Sequence, residues 1–209
     1  NAKENVIMLK KILPAFSYLF HPLFISVYAV ILFFFFGKHN YSYQEVYLVI
    51  IQIVIITIFI PLTVYYLLLS LGKVDSIMLA HKNQRRLPLL IHAILLLILI
   101  QKSITIDYFP ILYFFFLGSF ISTFWAFVFL FSKFKVSLHQ LAIASFTVFV
   151  IGISMHYNVR MLWIIIPLIA CNGLVASSRL VMKAHTPTEL ILGGLIGSIP
   201  QIGLLYFWL

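Results

Sequence analysis

Seven apolar runs, each near the length of a membrane crossing and separated by short polar segments, constrain this chain more than any motif in it. The hydrocarbon core of a bilayer is roughly 30 Å thick, so a spanning helix takes about 20 mainly apolar residues. The runs cover about 12–36, 46–71, 87–104, 108–131, 136–155, 161–176 and 189–208 and use most of the 209 residues. The chain therefore reads as an all-α integral membrane protein, a bundle of six to seven transmembrane helices forming one domain over 1–209. Composition agrees, since charged residues make up 9% of the chain and mean hydropathy is +1.12, whereas soluble domains carry about 25% charged residues. The first run is longer than the h-region of a signal peptide and no small-x-small cleavage site follows it, so it reads as a span. Within it, Pro22 predicts a kink, and His21 reads as an interior packing residue rather than a ligand.

Polar residues gather in three places: Lys82, Arg85 and Arg86 before the third run, Lys135, Ser137 and His139 around the start of the fifth, and Ser178, Arg179, His185 and Glu189 before the seventh. Two, four and six runs precede these clusters, so all three fall at one membrane face. The same parity puts eleven of the 14 basic residues on that face and leaves Lys38, Lys102 and Arg160 opposite. By the positive-inside rule the face with the clusters is cytoplasmic. The basic residues sit at the ends of apolar runs and not on a soluble surface, so the net charge of +9 points to topology and anionic lipid rather than to nucleic acid. The single cysteine, Cys171, excludes an intrachain disulfide and a cysteine-based metal cluster.

Each cluster admits two readings. Lys82, Arg85 and Arg86 read equally as a topology determinant and as a grip on phosphate. Thr186-Pro187-Thr188-Glu189 fits a capping box with Pro at the first helical position, which would give Glu189 the task of starting the last helix. The Gly193/Gly197 pair reads as close helix packing. Yet an Arg and a His six residues apart, with a Glu four beyond the His, also suit a phosphate site: the guanidinium neutralises oxygens and a carboxylate-oriented imidazole attacks phosphorus.

Ser178-Arg179-x5-His185-x3-Glu189 resembles the third signature of the type 2 phosphatidic acid phosphatase superfamily, Ser-Arg-x5-His-x3-Asp, with Glu in place of Asp. Val136-Ser137-Leu138-His139 resembles its second signature, Pro-Ser-Gly-His, with Ser and His kept. The nearest counterpart of the first, Lys-x6-Arg-Pro, is Lys82-Asn83-Gln84-Arg85-Arg86-Leu87-Pro88, compressed and with Leu87 between Arg and Pro. The resemblance spans about the last three quarters of the chain and is most specific in the third signature.

The resemblance implies a bundle of that family's kind and a membrane-embedded phosphatase acting on a lipid phosphate or polyprenyl diphosphate that enters from the bilayer. His185 would be the nucleophile that becomes phosphohistidine, Glu189 its orienting carboxylate, and His139 the proton donor to the leaving lipid oxygen. Arg179, Ser178, Ser137 and a basic residue among Lys82, Arg85, Arg86 and Lys135 would hold the phosphate, with no metal or cofactor. The family commonly places its site on the outer face, whereas the charge bias here puts the polar clusters on the cytoplasmic face, in what is expected to be a bacterial inner membrane. A catalytically silent relative that binds anionic lipid or a membrane partner through the basic face is the other function these residues allow.

Overall fold

A computed structural model describes residues 12–37, 41–74, 82–132 and 135–209. Among them are eight helices and no strand: α1 (Ile12–Leu19), α2 (Pro22–Phe36), α3 (Tyr43–Ser70), α4 (Lys82–Lys102), α5 (Pro110–Phe129), α6 (Leu138–His156), α7 (Leu162–Val181) and α8 (Pro187–Leu205). The helices α3 to α8 are each long and apolar enough to cross a bilayer, and the bent pair α1 and α2 makes a seventh span if counted as one. The chain is an all-helical integral membrane protein.

Three helix ends differ from the expected runs in ways that matter for the site. The first run does not continue through Pro22 but breaks there, with α1 and α2 bent by 62°. The residue before a proline is driven to extended backbone, and His21 obeys with φ −65° and ψ 139°, serving as the cap of α2. The third helix starts at Lys82 instead of about residue 87, and the sixth run extends to Val181 instead of ending near residue 176. Counting apolar residues stops at the first charge, but helical hydrogen bonding does not. Arg85, Arg86, Ser178 and Arg179 are therefore helical residues projecting from defined faces. In α3, Pro61 has no N–H to offer the Thr57 carbonyl, and the ladder slips into a π turn over Ile55–Phe59 in which the Ile60 N–H bonds the Ile55 carbonyl.

The centre of the bundle is α6, more deeply buried than the other candidate spans and packed against α2, α7 and α8. Close approach of α8 depends on two glycines: a Cβ at Gly193 would lie 2.6 Å from the Ser137 carbonyl oxygen, and one at Gly197 would meet the carbonyl of Leu141. Ser145 Oγ donates to the Gly197 carbonyl at 2.8 Å and Ser122 Oγ to that of Ile196 at 2.8 Å, while Gln201 Nε2 reaches the Phe115 carbonyl at 2.9 Å. Small residues and such interhelical bonds bind helices where lipid removes most of the hydrophobic drive.

Apolar filling is uneven along the bundle axis. Phe33, Phe115, Phe116, Phe149 and Ile153 form a fully buried core toward the end at which Phe36 meets Trp163 and Phe34 meets Phe109. The opposite end has only a small apolar cluster around Ala126, Val136 and Leu141. There α2, α4, α6 and α8 begin, and polar side chains take the place of the core.

Candidate functional site

The starts of α6 and α8 lie side by side at this polar end and are tied through Glu189. Thr186 caps α8, Pro187 takes the first helical position, and the capping box is complete: the Thr186 N–H donates to Glu189 Oε2 at 3.1 Å and the Glu189 N–H to Thr186 Oγ1 at 3.4 Å. The same carboxylate accepts the Lys135 N–H through Oε1 at 3.0 Å and lies 3.2 Å from His185 Nδ1 through Oε2. The Ser137 N–H donates to the Glu189 carbonyl at 3.2 Å. Cap and imidazole partner, which are alternatives in the sequence, are one arrangement here.

His185 reaches this position by a left-handed residue. After α7, Lys183 takes φ 50° and the Ala184 N–H turns back to the Arg179 carbonyl at 3.0 Å. A side chain in that region costs roughly 1–2 kcal/mol, and what it achieves is to fold His185 back over the end of α7. His185 is 8% exposed, and its Nδ1 stands 3.1 Å from the Lys135 carbonyl as well as beside Glu189. Both neighbours are acceptors, so Nδ1 must carry the proton in the neutral ring, and Nε2 keeps a free lone pair. Burial, and then the Arg85 guanidinium, push the imidazole below its ordinary value of 6.5, against the Glu189 hydrogen bond that raises it. The neutral form is the one favoured.

Cations surround this ring. Arg85, Arg179 and Lys135 all act on His185 electrostatically, and Arg85 and Arg179 are each only 6% exposed. Arg179 Nε has no hydrogen-bond partner among the described residues, and its Nη1 lies 3.8 Å from Met182 Sδ. Burying a guanidinium donor without an acceptor is costly. His139, the second residue of α6, lies within electrostatic reach of Arg179, His21, His185 and Arg85. Ser137 caps α6, accepting the Gln140 N–H at 3.5 Å, and the Leu141 N–H bonds its carbonyl. The amides of Leu138 and His139 remain without partners within the helix, a helix start suited to an anion.

The structure thus brings together His185, Glu189, His139, Arg179, Arg85, Ser137 and Lys135. Lys135 contributes its backbone and charge, with Nζ 3.5 Å from the Ala184 carbonyl. Ser178 is fully buried, but its hydroxyl meets Ser17 Oγ of α1 at 2.6 Å. Arg86 is exposed, its guanidinium 4.9 Å from the Phe131 ring centroid. Neighbouring helical residues face about 100° apart, and in α4 Arg85 turns inward while Arg86 faces out. The Lys82 side chain lies outside the described residues.

Two residues near the site were not placed in it from sequence. The His21 ring packs T-shaped against His139 with centroids 4.9 Å apart, so the packing expected of it is against a residue of the polar cluster, and Tyr18 of α1 lies within electrostatic reach of Arg179. The available signal was a His immediately before a Pro, a pattern that can start a helix as well as kink one. No protein-family model matches the chain, and no curated protein or solved structure matches it significantly.

Proposed function

We propose that this protein is a membrane-embedded phosphatase of lipid phosphates or polyprenyl diphosphates working through a phosphohistidine. The observation that carries this reading is the His185 imidazole, held at Nδ1 by Glu189 and the Lys135 carbonyl, buried beside Arg85 and Arg179. In the first step Nε2 of His185 attacks phosphorus and forms the P–N bond while the P–O bond to the lipid breaks. His139 gives its proton to the leaving oxygen. In the second step water attacks phosphorus, His139 takes the proton of that water, and the P–N bond breaks to release phosphate and free His185. Arg179, Arg85 and the amides at the start of α6 stabilise charge on the transferring phosphoryl oxygens. The resemblance of residues 178–189 and 136–139 to type 2 phosphatidic acid phosphatase signatures supports the same assignment. Charge bias favours a cytoplasmic site.

Detergent-solubilised protein in the presence of a chelator is expected to release phosphate from a lipid phosphate, and rapid quenching with a phosphorus-labelled substrate to trap acid-labile label on His185. Binding of the lipid without release or label would point instead to a silent anionic-lipid binder, which Arg179 Nε, without a partner among the described residues, would also serve.

The environment of His185 also sets a pH dependence. A protonated imidazole cannot attack, and burial and Arg85 depress its protonation, so the acid limb of kcat/KM is expected below pH 6.5. Arg85→Gln removes a cation that disfavours the imidazolium and is expected to move that limb to higher pH, whatever it does to the maximum rate. A limb that stays in place or moves down in a pH–rate profile would contradict this electrostatic assignment.

A further inference from the structure

The chemistry assigned to His139 requires its ring to be held toward the leaving oxygen, and no hydrogen bond from α6 itself fixes that ring among those described. What lies against it comes from another helix. His21, at the break between α1 and α2, sets its ring at 89° to that of His139 with centroids 4.9 Å apart, and Phe24 flanks His21 at 6.2 Å. His21 is itself anchored: its Nδ1 accepts the Leu23 N–H at 3.3 Å as the cap of α2. That bond places the lone pair on Nδ1 and the hydrogen on Nε2. Arg179 is within electrostatic reach of His21, which puts the ring at the edge of the cationic cluster.

We propose that His21 is a positioning residue for the leaving-group acid. Its ring closes one side of the His139 imidazole, restricts that side chain to the rotamer facing the leaving oxygen, and keeps water from the same side. This inference rests on the assignment of His139 as proton donor. The break at Pro22 then has a use beyond relieving a helix: an unbroken first helix would not end in a capping histidine beside α6.

Cap and ring can be separated by substitution. Asparagine is a good helix cap and has no ring, so His21→Asn keeps the support of α2 and removes the contact with His139. Phenylalanine does the reverse. The acid can be isolated by leaving group, because an alkyl phosphate needs a proton on the departing oxygen whereas p-nitrophenyl phosphate releases p-nitrophenolate, a stable anion. For the full-length protein in detergent, kcat/KM of His21→Asn is expected to fall about 10- to 100-fold with dodecyl phosphate and less than about threefold with p-nitrophenyl phosphate, and His21→Phe to stay within about threefold on both. Equal losses on the two substrates in His21→Asn, no loss on either, or a His21→Phe variant as impaired as His21→Asn would overturn the proposal. If the wild-type protein releases phosphate from neither substrate, the phosphatase reading itself fails and takes this inference with it.

Discussion

Replacing His185 by alanine or by asparagine is expected to lower phosphate release from a lipid phosphate by about 10⁴-fold or more and to abolish the trapped label, because the step that makes the P–N bond has no other nucleophile in place. The two variants differ in what they do to the fold. Alanine leaves Glu189 Oε2 and the Lys135 carbonyl without their shared donor. The asparagine amide N–H can occupy much the same place as Nδ1–H, so His185→Asn is expected to keep the thermal stability of the wild type while still lacking a nucleophile. Activity lost in the alanine variant but kept in the asparagine variant would make His185 a structural strut. Activity surviving in both would remove the phosphohistidine mechanism.

Bilayer thickness is a ruler that sequence can be laid against, which is why the number of runs and the face on which the polar clusters meet were legible in it. The structure puts Arg85, His139 and His185 at one end of the bundle, as parity requires. The capping box at Thr186–Glu189 and the close approach at Gly193 and Gly197 were legible too, because each depends on local chemistry at fixed spacing. What sequence left open is a matter of rotation and direction. Arg85 and Arg86 are equivalent as letters, and only the phase of α4 against its neighbours turns the first inward and leaves the second on Phe131. Ser178 has the spacing of a phosphate ligand, but the return of α1 across the polar end gives its hydroxyl to Ser17. His21 was the least legible, since its role depends on the chain bending by 62° at a position where a modest kink would have left it in the apolar interior. Glu189 shows the opposite case: two readings competed for one carboxylate, and its Oε2 alone meets both the Thr186 N–H and the His185 imidazole while Oε1 takes the Lys135 N–H.

Arg179→Met is expected to separate function from stability in opposite directions. Arg179 is 6% exposed and its buried Nε lacks a hydrogen-bond partner among the described residues, so the unliganded protein carries a desolvation cost of about 1–3 kcal/mol for an unsatisfied donor. Methionine keeps much of the apolar stem and the packing near Met182 while removing the charge, which should raise the apparent Tm of the unliganded protein in detergent. The same change is expected to lower kcat/KM about 10³-fold, since an arginine on a transferring phosphoryl group is worth that much or more, and to remove the rise in Tm caused by added phosphate or vanadate. Lysine keeps the charge but lacks the planar fork, so Arg179→Lys should recover only a small part of the activity. An arginine retained for packing would behave otherwise: Arg179→Met would then lower Tm and leave the response to anions intact. A buried cation whose removal stabilises the empty protein and abolishes turnover is one whose unmet hydrogen bonds are kept for the substrate.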